Sequence, residues 1–257
     1  MFLRRIVEAL RVQNWTAIAI EFVIVVFGVF LGTQVANWNQ DRAERRETER
    51  MLLQLVPELK ANIEFFDSAK TYYAVTRRFA NQALAAWKGD RGVSDEQFVI
   101  AAYQASQIYG ISINAENWTM TFGGEQLRNI DDTRVRRNLE LVLTQDYAVV
   151  GYDSVATPYR EQVRRIIPVE IQDRIRKECG DRSIAGKEQW SLTELPATCA
   201  MKLQPAQAGV TAAALRARPD LAGELAWHLS AVAIYLDNAT ILEQPIRALH
   251  RDLANGS

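Results

Sequence analysis

The sequence predicts an all-α protein, with one N-terminal transmembrane helix that continues into an extramembrane antiparallel helical bundle carrying a disulfide-closed loop. Three observations predict this fold class. One long apolar run lies near the start of the 257-residue chain. Elsewhere, apolar residues recur every three or four positions, which is typical of amphipathic helices. No stretch alternates apolar and polar residues in the way that a half-buried strand does.

Composition argues against several functional classes. The chain has 31 acidic and 30 basic residues, so its formal charge of −1 provides no basic surface for nucleic acid. Two histidines and two cysteines are too few for most metal cages or histidine-based catalytic sites. The sequence also lacks a phosphate-binding glycine loop, a nucleophile elbow and zinc-ligand spacing. We therefore expect a protein that is not an enzyme and that uses no cofactor or metal.

The apolar run extends from Thr16 to Ala36, TAIAIEFVIVVFGVFLGTQVA, and Trp15 and Trp38 bracket it as expected at membrane interfaces. The 23 steps between these tryptophans give a helix about 34 Å long, which matches a bilayer core. A buried helix of a soluble protein rarely runs this long, and a cleaved signal peptide has an apolar region of only about 7–15 residues. We predict an uncleaved anchor over residues 15–38, embedded in the lipid bilayer.

The two cysteines indicate the orientation, because arginines flank the span on both sides and do not decide it. Cys179 and Cys199 enclose a polar stretch with turn residues. A disulfide closing that loop stabilises the fold by about 3 kcal/mol and needs an oxidising compartment. Two unrelated reduced thiols are the alternative. We expect residues 1–14 to be a cytoplasmic amphipathic stub, and residues 39–257 to be a periplasmic helical domain at a bacterial inner membrane.

Two helices are predicted in the first half of this domain. The charged run after the span continues as a helix to about Lys88, and Pro57 should kink or break it. The capping-box pair Ser94 and Gln97 should begin a shorter helix that ends near Tyr109. The first helix carries an apolar stripe: Leu52, Val56, Leu59, Ile63, Phe66, Tyr73, Ala80, Leu84 and Trp87.

Two more helices are predicted in the second half. One covers residues 131–167, begins at a cap formed by Asp131-Asp132, and is interrupted by prolines. The other begins at Pro219-Asp220 and is too interrupted to span a bilayer; its His228 and His250 are interpreted as residues at the edge of the core. Its apolar stripe is the cleanest in the chain: Leu225, Leu229, Val232, Leu236, Ala239, Leu242, Ile246, Leu249 and Leu253.

The membrane segment contains a candidate packing face. Gly28 and Gly32 form a small-xxx-small pair, and helical spacing places Glu21 on the same face. The functional interpretation is a homodimer contact or docking onto another membrane protein, since an ionisable group is costly when it faces lipid. The alternatives are that the glycine pair occurs by chance and that Glu21 reaches the headgroups.

Four residues in or beside turns form a second candidate surface: Trp118, Met120, Phe122 and Trp190. Exposed aromatic residues in loops can contact a partner or ligand. We favour the alternative, in which they cover the end of the bundle, because large apolar side chains are usually buried.

The segment from Glu21 to Asn39, EFVIVVFGVFLGTQVANWN, resembles the N-terminal signature of a bacterial family of uncharacterised single-pass membrane proteins. That signature reads E-x-x-x-V-V-x-G-x-x-x-x-x-Q-x-x-N-W-N. The stretch from Leu127 to Tyr147 is more weakly similar to another stretch of that family, L-x-x-I-x-D…L-R-x-x-L…Y, and departs from it by having Gly123-Gly124 before it and Val135-Arg136 in place of Leu-Arg. The resemblance implies an anchor and a helical extramembrane region, and it implies no activity.

These observations favour a non-enzymatic single-pass inner-membrane protein with a periplasmic helical interaction domain. One alternative is an accessory subunit of a larger membrane complex that docks through the Gly28/Gly32 face. Another is a periplasmic bundle that binds a ligand between its helices.

Overall fold

A computed structural model describes residues 15–113, 115–186 and 190–255, except for the side chains of residues 15–18 and Glu125. The chain is about 77% helical. It divides into two compact units, Met1–Met51 and Leu52–Ser257. The predicted stub over residues 1–14 lies outside the described residues.

The helical prediction is confirmed in the main. The α-helices, in chain order, are α1 Trp15–Trp87, α2 Asp95–Gln104, α3 Ala115–Phe122, α4 Glu125–Arg128, α5 Thr133–Thr144, α6 Pro158–Ile166, α7 Val169–Cys179, α8 Pro205–Arg216 and α9 Asp220–Asn255. Two 3₁₀ turns, Tyr147–Val150 and Tyr152–Val155, connect α5 to α6.

Helix α1 contains Pro57 and continues through it without a break. The missing backbone donor is compensated by packing, because Leu55 and Leu59 on either side of Pro57 are buried. The predicted stripe along this part of α1 is the inner face of the second unit, and none of its nine residues is exposed.

Helix α9 packs its predicted stripe into the same core. All nine stripe residues are buried except Leu229 and Leu236, which are half-buried. A charged cluster also joins α1 and α9: the buried carboxylate of Glu243 contacts Lys70 and Arg247, and Arg247 bonds Asp67 at 2.7 Å. Apolar packing and this ion cluster together hold the two longest helices of the unit in register.

The prediction of a single helix over residues 131–167 is wrong. The structure has α5, the two 3₁₀ turns and α6 instead. The helical spacing of Val135, Leu139, Val142, Val149 and Ala156 predicts one buried side, but only the first three are buried, and Val149 and Ala156 lie beyond α5 and are exposed. The predicted caps are present: Asp132 accepts hydrogen bonds from Arg134 N and Val135 N, and Ser94 forms a complete capping box with Gln97.

The purely all-α prediction needs one correction, because the disulfide-closed loop contains a small antiparallel hairpin. Strands β1 Arg182–Ala185 and β2 Ser191–Glu194 pair with Ile184 opposite Leu192. Four-residue strands are too short for an alternating pattern to be distinguished from a polar loop.

Candidate functional site

The apolar segment of α1 lies in the first unit, and its side chains from Ala19 onward are exposed. Its large side chains project from the helix without any protein covering them: Ile20, Phe22, Val23, Ile24, Val25, Val26, Phe27, Val29, Phe30, Leu31 and Val35. An uncovered apolar patch of this size marks a surface that contacts a partner or a membrane. By length and composition this helix is able to cross a membrane, and a signal sequence near an N-terminus passes the same test.

Helix α9 passes that test as well, which differs from the prediction that it is unsuited to span a bilayer. A third of its apolar window is buried inside the second unit, whereas none of the α1 window is buried. The buried face of α9 is part of a folded core, so α1 is the better candidate for a membrane span.

The predicted packing face on α1 is open. A Cβ atom added to Gly28 or Gly32 meets nothing within 4 Å, so both glycines leave room for another backbone. Glu21 lies seven residues before Gly28, and both residues are exposed. At the far end of the segment, Trp38 is exposed and the Arg42 guanidinium carbon lies 5.4 Å from the centre of its ring. Of the two predicted interface tryptophans, the side chain of Trp15 lies outside the described part of the structure.

The predicted disulfide is present in the second unit. Cys179 at the end of α7 is bonded to Cys199, and their Cα atoms are 5.3 Å apart. Gln104 Nε2 donates a 2.6 Å hydrogen bond to the Cys179 carbonyl. The disulfide therefore closes the hairpin loop and is itself attached to α2.

A groove of about 520 Å³ lies between α1 and the hairpin. Ser68 Oγ donates to the Thr193 carbonyl at 3.1 Å, and Tyr72 Oη donates to Asp181 Oδ1 at 2.9 Å. Burial raises the pKa of both Tyr72 and Asp181, so the phenol stays a donor to this carboxyl. This groove is not predictable from local sequence patterns, because its walls come from segments more than a hundred residues apart.

His228 is buried in the core, and its interpretation as an edge residue is wrong. Its side chain is 1% exposed, its Nδ1 lies 2.8 Å from Thr157 Oγ1, and its ring stacks on Tyr159. Burial and, to a lesser degree, the charge of Arg160 lower the His228 pKa to about 4. The histidine is therefore a neutral core residue near physiological pH.

The three turn aromatics and the one methionine of the second candidate surface divide into two pairs. Trp118 and Phe122 are buried on α3, and Trp118 Nε1 donates to Glu58 Oε2 at 2.7 Å, as expected for residues that cover the bundle. Met120 is 76% exposed and Trp190 is 47% exposed, with the Trp190 ring 6.4 Å from Phe65. The prediction that all four side chains are buried is therefore wrong for Met120 and Trp190.

Within the described ranges, no group of three or more His, Cys, Asp or Glu side chains is arranged to hold a metal ion. Comparisons with protein families, with curated proteins and with solved structures find no match for this chain. The structure thus defines a class, a mostly helical protein with a disulfide-closed hairpin and an exposed apolar helix long enough to cross a membrane.

Proposed function

We propose that the chain is a non-enzymatic, single-pass inner-membrane protein whose helical domain lies in the periplasm and serves as an interaction module. The observation that carries this proposal is the exposed apolar segment of α1, whose most apolar window has a mean hydropathy of 2.1 and no buried residue. In water, so large an uncovered surface is strongly unfavourable, whereas lipid removes the penalty. The resemblance of residues 21–39 to a family of uncharacterised single-pass membrane proteins supports the same proposal.

The Cys179–Cys199 bond supports the orientation. Disulfides persist in the bacterial periplasm and are rare in the cytosol. The N-terminus is then cytoplasmic, and the domain that follows Trp38 is periplasmic.

Membrane insertion is tested by carbonate extraction of membranes that contain the full chain. We expect the protein to stay with the lipid pellet and to require detergent for release. Recovery of the intact chain in the soluble fraction without detergent would contradict the anchor.

Orientation is tested with a Met120→Cys variant, because Met120 is highly exposed. A membrane-impermeant maleimide should label this cysteine in intact spheroplasts without reductant. The wild-type chain is the control, since its two cysteines are bonded to each other and should react only after reduction. Labelling of the variant only after lysis would place the domain in the cytoplasm and refute the orientation.

A second candidate function, as an accessory subunit of a larger membrane complex, is favoured by the open face around Gly28 and Gly32. We expect the double change Gly28→Leu with Gly32→Leu to abolish crosslinking within the membrane. Val26→Leu with Phe30→Leu is the matched control, because these residues have the same spacing on the opposite side of the helix. Equal crosslinking in both double variants would remove this candidate.

A further inference from the structure

A surface cavity of about 640 Å³ lies at the beginning of α6 in the second unit. Its charged lining comes from four residues of that helix: Arg160, Glu161, Arg164 and Arg165. Thr157 at the helix N-cap also lines it. The volume is within the range of small-molecule sites in proteins.

Two of these arginines converge on the same protein groups. Arg160 Nη1 donates to the Ser106 carbonyl at 2.6 Å, and Arg164 Nε donates to Ser106 Oγ at 3.2 Å. Both guanidinium groups also contact Gln107 Oε1, at 3.4 Å from Arg160 and 2.7 Å from Arg164. A single amide oxygen thus orients two cations that lie one helical turn apart.

The positive charge of this pair is not neutralised by contact with an acid. Among the described residues, no carboxylate oxygen lies within 4.0 Å of a guanidinium nitrogen of Arg160 or Arg164. Asp181 is close enough for both arginines to lower its pKa, yet its hydrogen bond comes from Tyr72. The third arginine, Arg165, forms an ion pair with Glu161.

Burial and repulsion both act on the two arginines. Each is half-buried, and the pKa of Arg164 is lowered by burial and then by the charge of Arg160. Two like charges held together in a partly desolvated wall repel each other, and the Tyr103 ring, whose centre lies 4.7 Å from the Arg164 guanidinium carbon, offsets only part of that cost. The fold instead fixes both side chains through Ser106 and Gln107, as is typical of a preorganised anion site.

We propose that the cavity at the start of α6 binds a phosphate-type oxyanion through Arg160 and Arg164. A doubly charged phosphate monoester matches the charge of two guanidinium groups that contact no carboxylate, and guanidinium N–H groups that do not bond Ser106 or Gln107 can donate to its oxygens. The same chemistry is offered by a soluble phosphate ester and by the headgroup of phosphatidic acid. This site is independent of the proposed membrane anchor, because all its residues belong to the second unit.

The test uses the full chain in phosphatidylcholine nanodiscs and inorganic phosphate as the probe. Thermal unfolding is measured during titration with sodium phosphate, and sodium chloride at equal ionic strength corrects for screening. We expect a saturable rise in Tm with phosphate alone. Arg164→Gln should weaken the apparent affinity at least tenfold. Arg137→Gln, at an exposed position on α5, should leave the affinity unchanged.

A second measurement requires no variant in this site. Arginine side-chain NMR signals of the wild-type chain should shift on phosphate addition for Arg160 and Arg164, and the signal of Arg137 should not. Equal responses to phosphate and chloride, or the same phosphate response in Arg164→Gln and Arg137→Gln, would overturn the proposal.

A change of lipid composition distinguishes the two sources of the oxyanion, a soluble phosphate ester and the phosphatidic acid headgroup. When phosphatidic acid replaces part of the phosphatidylcholine, a headgroup ligand should occupy the site and remove the response to added phosphate. A soluble phosphate ester as ligand is indicated if the response persists unchanged.

Discussion

His228 is predicted to make the stability of the second unit depend on pH. Its pKa is about 4 in the folded protein, against 6.5 for an unperturbed histidine. As the pH falls below 6.5, the unfolded chain therefore binds a proton that the folded protein excludes. The stability contributed by the neutral ring is complete above pH 6.5 and is lost progressively between pH 6.5 and 4.

The size of the effect follows from the difference between the two pKa values. At about 1.4 kcal/mol per pKa unit, the loss amounts to roughly 3 kcal/mol by pH 4. Asp181 acts in the opposite direction, because its pKa is raised by burial. A comparison of wild type with a variant at His228 alone cancels that contribution.

The assay is urea unfolding of the full chain in mild detergent at a series of pH values. The glutamine in His228→Gln can retain the hydrogen bond to Thr157 and cannot titrate. We therefore expect the difference in free energy of unfolding between wild type and this variant to decrease by roughly 3 kcal/mol between pH 7.5 and 4. His250→Gln removes the other histidine of α9 and should keep the steep wild-type dependence. A constant difference between wild type and His228→Gln across this range would refute the reasoning.

The remaining predictions use the same unfolding assay at pH 7.5. Reduction of Cys179–Cys199 should lower the free energy of unfolding by about 3 kcal/mol, and a Cys199→Ser variant should no longer respond to reductant. Gly110→Ala should lower the free energy of unfolding by about 2 kcal/mol, because the added Cβ would lie 2.5 Å from the backbone nitrogen of Tyr152. Gly223→Ala, in open space within α9, should instead stabilise by about 1 kcal/mol. Glu243→Gln should cost about 1–2 kcal/mol, since the two cations that it contacts are partly exposed to water.

Local sequence signals predicted the parts of the fold that depend on local interactions. The capping box at Ser94 and the cap at Asp132 are formed within three residues, so the sequence displays all their atoms. The stripes on α1 and α9 were visible because burial on one side of a helix imposes a period of 3.6 residues. The pairing of Cys179 with Cys199 was predictable because the chain contains two cysteines.

The parts that the sequence did not predict depend on contacts between distant segments. His228 is accommodated in the core by the hydroxyl of Thr157, the N-cap residue of α6, and by the ring of Tyr159 on that helix. The arginine pair on α6 is oriented by Ser106 and Gln107, which follow α2 some fifty residues earlier. Periodicity within one helix contains no information about these neighbours.

The two apolar helices show why mean hydropathy alone does not identify a membrane span. Helix α9 reaches a mean hydropathy of 1.2 because it is apolar on two faces. One face is the buried core stripe, and the other carries Trp227, Ile234 and Ile241, which are exposed at intervals of seven residues. Polar residues such as Asp237 and Gln244 still face solvent on the same helix.

The apolar segment of α1 has no such division. Its exposed apolar side chains point in every direction around the helix, and no folded core covers any part of its window. A helix that is apolar on all sides requires an apolar environment on all sides. Within one chain, the distribution of apolar residues around the helix axis therefore separates a core helix from a helix that is apolar on all sides and long enough to cross a membrane.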